Sequence, residues 1–228
     1  MSSEKIIVAL DTATLPEVRR LITALPRAIH FKVGLLAFLQ FGPEIVAELQ
    51  KHGKKIFLDL KFKDIPQTVH GAVTSVLRFR PNFLTVHLSG GAEMIRRALD
   101  AAQALPQLTL LGVTLLTSLA GTDLTETGIT LSAEDYVLRL VELGLKNGLR
   151  GIVCSPREIE SIRRRFGPSV LLVTPGIRPT WSQSDDQKRV FTPKMALDAG
   201  SDFLVVGRPI IRHPEPDRAF DLIVSELL

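Results

Sequence analysis

The chain has 228 residues and a mass of 25.1 kDa, which is the size of one large domain or two small ones. Hydrophobic residues make up 45% and charged residues 23%, proportions of a globular protein that exclude a disordered chain, a collagen and a coiled coil. The net charge of +4 comes without a long basic tract, so the composition does not favour a nucleic-acid-binding arm.

The N-terminal segment leads directly into a short apolar run at residues 6–10. A secretory signal needs a basic start, a longer apolar stretch and a small-residue cleavage site, which this segment lacks. No apolar run reaches the ~20 residues needed to cross a bilayer. The one cysteine, Cys154, excludes an internal disulfide and suits a reducing compartment. The sequence therefore predicts a cytoplasmic protein.

Eight short apolar runs, rich in Val, Ile and Leu, recur along the chain with helical patterns between them. Most do not alternate apolar with polar residues, which is typical of strands covered on both faces. Thr14, Ser132 and Ser155 each stand three residues before an acidic residue and predict helix starts, and a last helix is predicted over residues 214–228. The predicted strands are residues 6–10, 30–33, 55–60, 83–86, 109–114, 151–154, 170–173 and 203–206.

Eight strand-then-helix units in a chain of this length predict an α/β fold, a single-domain (β/α)8 TIM barrel over residues 1–228. A doubly wound open sheet is the alternative. Active sites of such barrels lie at the C-terminal ends of the strands, so the polar residues that end or follow each run are the candidates for function. They are Asp11, Lys32, Asp59, Lys61, Asp64, His87, Thr114, Thr117, Ser155, Arg178, Gly207 and Arg208.

The third run ends in the sequence Asp-Leu-Lys-Phe-Lys-Asp, the densest group of charges among these ends. Side chains alternate along a strand, so Asp59 and Lys61 are expected on the same side, where the carboxylate keeps the ammonium protonated. A lone Asp-x-Lys would more simply be a salt bridge at the barrel mouth. With Lys32 on the adjacent strand, and Asp11 and Asp64 predicted at the same end, the charges form a network that is costly to desolvate. Such a network is seldom built for stability alone, which favours a catalytic site.

The last two strand ends predict a phosphate site. The loops after strands 7 and 8 of these barrels often bind phosphate through backbone N–H groups. Gly207 follows the eighth run and allows close approach of an anion, while Arg208 offers a bidentate guanidinium. Arg178 follows the seventh run as a second cation. A lone Gly-Arg would be an ordinary turn, but its position favours phosphate binding.

Residues 174–190 form a long polar stretch, and loops of this length within a compact domain are usually functional lids or disordered. Trp181 in this stretch is interpreted as a packing anchor for the loop base, and Cys154 as a buried thiol. The five histidines have no metal-ligand spacing, and no glycine-rich nucleotide motif is present. The sequence predicts neither a metal site nor a cofactor.

Together these residues resemble the orotidine 5′-phosphate decarboxylase family, in order and along nearly the whole chain. The resemblance is to the shorter, bacterial-type enzyme, which stands alone without a fused phosphoribosyltransferase. It implies a barrel that converts orotidine 5′-monophosphate to UMP in pyrimidine biosynthesis without a metal or cofactor. The segments that carry it are residues 8–11 (VALD), 31–34 (FKVG), 57–66 (FLDLKFKDIP), 113–118 (VTLLTS), 173–179 (VTPGIRP), 186–189 (DQKR) and 206–210 (VGRPI).

The resemblance also implies roles for the charged residues. Lys61 is the proton donor to C6 of the pyrimidine, and Asp59 lies beside the departing carboxylate. Lys32 and Asp64 complete an alternating array of lysines and aspartates. This array is the implied catalytic group.

A homodimer with shared sites is implied as well, because in the family Asp64, Ile65 and Thr68 reach the active site of the partner subunit. The other implied substrate contacts are Asp11 and Lys32 to the ribose hydroxyls, Thr117 to the base, Gln187 to phosphate and base, and Arg178, Gly207 and Arg208 to the phosphate.

The sequence departs from the common family pattern at Lys63, where many relatives have His, and at Gln67 and Leu88. We expect Lys63 to point away from the reacting groups. One alternative function is a Mg²⁺-dependent sugar-phosphate decarboxylase or aldolase on a related phosphate-binding barrel, which predicts sensitivity to EDTA. The other is a basic nucleic-acid-binding domain, which predicts salt-dependent retention of DNA or RNA. The runs at residues 59–66 and 175–179 favour the decarboxylase over the sugar-phosphate enzyme, and a net charge of +4 without clustered aromatic residues argues against the nucleic-acid-binding domain.

Overall fold

The computed structural model describes residues 2–11, 14–119, 121–182 and 191–227. Their eight parallel strands close a barrel in which each strand pairs with the next and β8 pairs with β1. The predicted (β/α)8 barrel is confirmed, and the open doubly wound sheet is excluded because the sheet closes. The strands are β1 Ile6–Ala9, β2 His30–Gly34, β3 Lys55–Phe62, β4 Phe83–His87, β5 Thr109–Val113, β6 Gly151–Val153, β7 Leu171–Thr174 and β8 Phe203–Val206.

Helices between the strands cover the outside of the barrel. Thr14 and Ser132 cap α1 and α7 as predicted, because each hydroxyl accepts a hydrogen bond from the backbone N–H three residues on. No helix in the described ranges has the length and apolar character to cross a membrane. The helices are α1 Leu15–Ala24, α2 Leu35–Phe41, α3 Pro43–Lys51, α4 Pro66–Val76, α5 Ala92–Ala102, α6 Gly121–Glu126, α7 Ala133–Lys146, α8 Ile159–Phe166, α9 Pro193–Asp198, α10 Arg208–Ile211 and α11 Pro216–Glu226.

Some element boundaries differ from the predicted ones for local reasons. Ser155 opens a short 3₁₀ turn, Pro156–Glu158, and α8 begins only after it. The last helix begins at Pro216 and not at residue 214, because the residue before a proline is driven to an extended conformation and Glu215 has φ −120°. β3 runs two residues past its predicted end, to Phe62, through a stretch where its pairing with β4 is irregular.

The core has two layers because successive strand residues point to opposite faces of the sheet. The barrel interior is filled by Ile7, Ala9, Phe57, Phe83, Leu111, Val173 and Val205. The larger layer lies between barrel and helices and contains the alternate positions, such as Leu58 and Leu60 of β3. Cys154 also belongs to this layer, where burial raises the pKa of its thiol, as expected for an unreactive cysteine.

Aromatic rings close the N-terminal end of the barrel. His30, Phe83 and Phe203 contact one another with ring centroids 5.3 to 6.0 Å apart. Burial is the main cause that lowers the pKa of His30 to about 4, so this imidazole is neutral at physiological pH.

Candidate active site

Two adjoining cavities lie at the C-terminal mouth of the barrel. Lys32 and Asp59 line both of them, so they are two halves of one cleft. The first, of about 160 Å³, is otherwise lined by Phe57, Lys61, Val113, Leu115, Leu116, Thr117, Val153, Cys154, Ser155, Pro175 and Val205. The second, of about 250 Å³, is otherwise lined by Ala9, Asp11, Pro175, Gly176, Ile177, Arg178, Val205, Gly207, Arg208 and Pro209. The cleft thus has an apolar half and a cationic half, joined by charged residues.

A chain of alternating charges joins the two halves. Lys32 Nζ lies 3.6 Å from Asp11 Oδ1 and 3.3 Å from Asp59 Oδ2, while Lys61 Nζ lies 2.7 Å from Asp59 Oδ1. The Lys32 and Asp59 side chains are each 12% exposed, whereas that of Lys61 is 35% exposed and faces the cleft. The structure therefore brings together the four predicted residues that lie on β1, β2 and β3 or directly after them.

The backbone of β3 is irregular where these charges meet. Pairing with β4 shifts register between Leu58 and Phe62, and Lys61 has φ +50°, a left-handed conformation that costs energy for a residue with a Cβ. The Lys61 N–H donates to Thr85 Oγ1 at 2.9 Å. The Asp59–Lys61 pair was predicted from the regular alternation of side chains along an extended strand. In the structure the pair forms although the backbone at Lys61 is not extended. The pair forms across a strained turn of the strand, which a neighbouring hydroxyl supports.

The charge network keeps Asp59 ionised. Burial alone would raise the pKa of its carboxyl, but the charges of Lys32 and Lys61 and hydrogen bonds from Lys61 and Thr85 hold that pKa below its usual value. On β4, burial and the charges of Lys63 and Lys61 lower the pKa of His87. The cleft thus holds an ionised carboxylate, and the His87 imidazole on the adjacent strand is neutral at neutral pH.

The cationic half contains three of the residues predicted to bind phosphate. Arg178 is half-buried after β7, Gly207 follows β8, and Arg208 begins α10 with an exposed side chain. All three line the cavity that Asp11 and Lys32 also line. This half can therefore bind the anionic group of a ligand through its cations, while Asp11 and Lys32 can bind hydroxyl groups of the same ligand.

The apolar half is bordered by the loops after β5 and β6. Thr117 lines it, as predicted, and Ser155 lines it from the next loop. Glu158 links the two loops, because its Oε2 accepts from the Ser155 N–H at 2.9 Å and lies 3.4 Å from Thr114 Oγ1. Desolvation raises the pKa of Glu158 to about 7. Its carboxyl therefore titrates near neutral pH beside the predicted base-binding residue.

Glu158→Gln is expected to flatten the pH dependence of the unfolding free energy. The pKa of Glu158 is raised from 4.5 to about 7, so its contribution to stability is fully present below pH 4.5 and is lost as the pH rises through 7. Glutamine still accepts from the Ser155 N–H but carries no charge. At about pH 8 the variant should be more stable than wild type by about 2 kcal/mol, a value reduced for partial solvent exposure.

Urea unfolding between about pH 5 and 8 measures this difference. Glu160→Gln, at an exposed position on α8, is the matched control and should leave the pH dependence unchanged. Parallel pH profiles for wild type and Glu158→Gln would contradict the prediction.

Three of the predicted site residues that the structure describes do not join the cleft within one chain. Asp64 is exposed and its Oδ1 accepts from the Ile65 N–H at 2.6 Å, and in the described chain it forms no ion pair with Lys32 or Lys61. Ile65 is 66% exposed, and Thr68 is also exposed on α4. Gln187 lies outside the described residues.

Sequence reasoning missed two residues that shape the cleft. Glu158 was recognised only as part of a helix start, and Thr85 was not singled out at all. The signal for Thr85 was present, because a hydroxyl inside a buried apolar run needs a hydrogen-bond partner. Trp181, predicted to be a packing anchor, is 38% exposed, and its ring makes an edge contact with His213 at a centroid distance of 5.7 Å.

Comparison with known proteins gives a consistent result. The family model described as "Orotidine 5'-phosphate decarboxylase / HUMPS family" matches residues 4–223. The chain is 43% identical to an orotidine 5′-phosphate decarboxylase of Synechocystis sp., over 100% of this chain and 99% of that one. It is 43% identical to one of Coxiella burnetii, over 98% and 96%. A crystal structure of the enzyme from Lactobacillus acidophilus superposes with a TM-score of 0.87 at 35% identity, covering 98% of this chain and 99% of that one.

Proposed function

The chain belongs to the orotidine 5′-phosphate decarboxylase / HUMPS family, and we propose that it acts through the Asp59–Lys61 pair. Its activity is the decarboxylation of orotidine 5′-monophosphate to UMP in pyrimidine biosynthesis, which makes it a carboxy-lyase. One observation carries the proposed mechanism, namely that an ammonium and a carboxylate lie 2.7 Å apart between an apolar and a cationic cavity.

In the proposed reaction the bond between C6 of the pyrimidine and its carboxylate breaks. Carbon dioxide leaves and the electron pair stays on C6. The Lys61 ammonium stabilises this charge and then transfers a proton to C6, which yields UMP, and Lys61 recovers a proton from solvent. Asp59 lies beside the departing carboxylate and disfavours the ground state through like-charge repulsion. We propose that no metal or cofactor takes part, because the lysines supply the positive charge.

No single ion contact accounts for catalysis of this kind. An ion pair at about 4 Å is worth about 4 kcal/mol at an effective dielectric near 20, whereas enzymes lower activation barriers by about 8–23 kcal/mol. The whole array of Asp11, Lys32, Asp59 and Lys61 is therefore needed, in a cleft where the charges are already oriented. Binding energy from parts of the substrate far from C6 supplies the remainder.

We propose that those distant contacts lie in the cationic half of the cleft. Arg178, Gly207 and Arg208 would hold the substrate phosphate, and Asp11 and Lys32 the ribose hydroxyls. Thr117 would contact the base from the apolar half. Gln187 is assigned a bridging role between phosphate and base on the family resemblance alone.

A homodimer with shared sites is also proposed. Four large apolar side chains near the C-terminal barrel mouth are exposed, namely Leu35, Leu36 and Leu39 of α2 at 55, 70 and 73%, and Ile65 at 66%. α2 follows β2 and Ile65 follows β3, which are neighbouring strands, so these side chains border one side of the mouth. An apolar surface of this kind favours association with a second copy, which would bring Asp64, Ile65 and Thr68 to the other chain's Lys61.

Mixing two inactive variants tests the shared site. In a hybrid of Lys61→Ala and Asp64→Ala subunits, one site combines both altered residues and the other has neither. Random exchange should therefore restore about one quarter of wild-type activity, as expected for two-fold symmetry. Subunit exchange is verified with differently tagged chains. If exchange occurs and activity does not recover, the result contradicts shared sites.

The activity is tested by incubating the protein with orotidine 5′-monophosphate and following the product by chromatography. Formation of UMP is expected. Ketose phosphates with added Mg²⁺ serve as the comparison, and turnover of these alone would favour the sugar-phosphate lyase. Neither that alternative nor a nucleic-acid or membrane partner is proposed, and we place the enzyme in the cytoplasm with its phosphorylated substrate.

A further inference from the structure

A buried hydroxyl on the neighbouring strand contacts both members of the catalytic pair. Thr85 lies in the middle of β4 and is 0% exposed. Its Oγ1 donates to Asp59 Oδ1 at 3.1 Å and accepts from the Lys61 backbone N–H at 2.9 Å. The same Oδ1 receives the Lys61 ammonium at 2.7 Å. Thr85 therefore holds the pair at two points, the carboxylate of Asp59 and the backbone of Lys61.

We propose that Thr85 is a positioning residue for the decarboxylation, which holds the Lys61 ammonium and the Asp59 carboxylate in register with C6 and the departing carboxylate. This inference rests on the proposed function. It assigns the support of the catalytic geometry to a residue that would itself touch neither substrate nor leaving group.

The irregularity in β3 explains why a hydroxyl is needed here. Register with β4 shifts between Leu58 and Phe62, so Lys61 lies in the stretch where regular pairing is interrupted. Its N–H instead donates to a side chain. A hydroxyl can donate and accept at once, whereas an aliphatic side chain of the same shape does neither and would leave the N–H unsatisfied. The hydrogen bond from its N–H to Thr85 thus stabilises the left-handed backbone conformation of Lys61.

Loss of the Thr85 hydroxyl would remove both hydrogen bonds, the one to the Asp59 carboxylate and the one from the Lys61 N–H. The Lys61 backbone could relax from φ +50° toward an extended conformation, which would turn its ammonium away from the cleft. A displacement of about 1 Å can cost on the order of 100-fold in rate when reacting groups must be aligned. The residues proposed to bind phosphate, which follow β7 and β8, would be unaffected.

The test compares Thr85→Val, which keeps the shape, with Thr85→Ser, which keeps the hydroxyl. Thr85→Val should lower kcat by about 10- to 100-fold, the effect of losing a hydrogen bond to a charged group, while the dissociation constant of UMP changes by less than about threefold. Thr85→Ser should stay within about threefold of wild type in kcat. Thr109→Val, the same substitution on β5 toward the opposite barrel end, is the matched control and should keep wild-type kcat.

A pH profile provides a readout that a merely structural role would not move. Asp59 is faced by Lys32 of β2, Lys61 of β3 and His87 of β4, with Asp11 beyond Lys32. Without the Thr85 hydrogen bond its pKa should rise, so the acid limb of kcat/KM should move to higher pH in Thr85→Val. In Thr85→Ser, which keeps the hydroxyl, the acid limb of kcat/KM should stay at its wild-type position.

Two outcomes for Thr85→Val would overturn the positioning role of Thr85. A Thr85→Val enzyme with wild-type kcat and acid limb overturns the inference, and so does a parallel loss of kcat and UMP binding that follows the loss of folded protein. If Thr85→Val does not fold, Thr85→Ala is measured against the same criteria. A wild-type protein that is inactive on orotidine 5′-monophosphate overturns the proposed function first, and this inference with it.

Discussion

Lys61→Ala is expected to lower kcat/KM for orotidine 5′-monophosphate by at least about 10⁴-fold. The substitution removes the proposed proton donor, worth about 10²–10⁴-fold, and the cation proposed to stabilise charge at C6, worth about 10²–10³-fold. It also leaves Asp59, whose side chain is 12% exposed, with Lys32 as its remaining ion-pair partner. Affinity for UMP should fall far less than kcat, because product binding depends mainly on the cationic half of the cleft.

Lys63→Ala is the matched control for this substitution. Lys63 is two residues further along, is exposed and forms none of the cleft's ion pairs in the described chain. Its removal should change kcat/KM by less than about threefold, as for an exposed charge. Comparable losses in the two variants would mean that Lys61 has no special role in proton transfer.

Arg208→Ala should lower kcat/KM for orotidine 5′-monophosphate by about 10²–10³-fold, because a guanidinium–phosphate contact is a bidentate, charge-assisted one. The same variant should turn over orotidine, which lacks the phosphate, at nearly the wild-type rate. Wild-type protein should discriminate strongly between the two substrates, since binding energy from the phosphate contributes to the transition state. Steady-state kinetics of both substrates with both proteins measures this coupling.

Arg212→Ala supplies the control for charge, because Arg212 lies one helical turn further on and is exposed. It should preserve the preference for the phosphorylated substrate. If Arg208→Ala reduced the turnover of orotidine as strongly as that of orotidine 5′-monophosphate, Arg208 would act by some route other than phosphate binding. Wild-type turnover of orotidine close to that of the phosphorylated substrate would refute the phosphate site itself.

The sequence was sufficient to predict the barrel and most of the charged and polar residues that line the cleft. Apolar runs with helical patterns between them mark strands buried on both faces, a local property. Closure of the barrel then brings all strand ends to one mouth, so Asp11 and Arg208, 197 positions apart, line one cavity. Residues in different strands could therefore be assigned to one site without knowledge of their distances.

The finer geometry was not predictable, because it depends on departures from regular structure. Alternation along a strand assumes an extended backbone, and Lys61 is left-handed. The partners of Thr85 and Glu158 depend on cross-strand register and loop packing, which no local pattern encodes. The proposed placement of Asp64 against a second chain would depend on association, so neither the sequence pattern nor one chain's coordinates determine it.

The central claim is that this chain decarboxylates orotidine 5′-monophosphate with its own lysines and aspartates. The most direct test is turnover in D₂O by protein stripped of metal with a chelator, followed by NMR of the pyrimidine C6–H signal. The account predicts undiminished formation of UMP that carries deuterium at C6, with little product from Lys61→Ala. Activity that disappears with the chelator and returns with Mg²⁺ would contradict it.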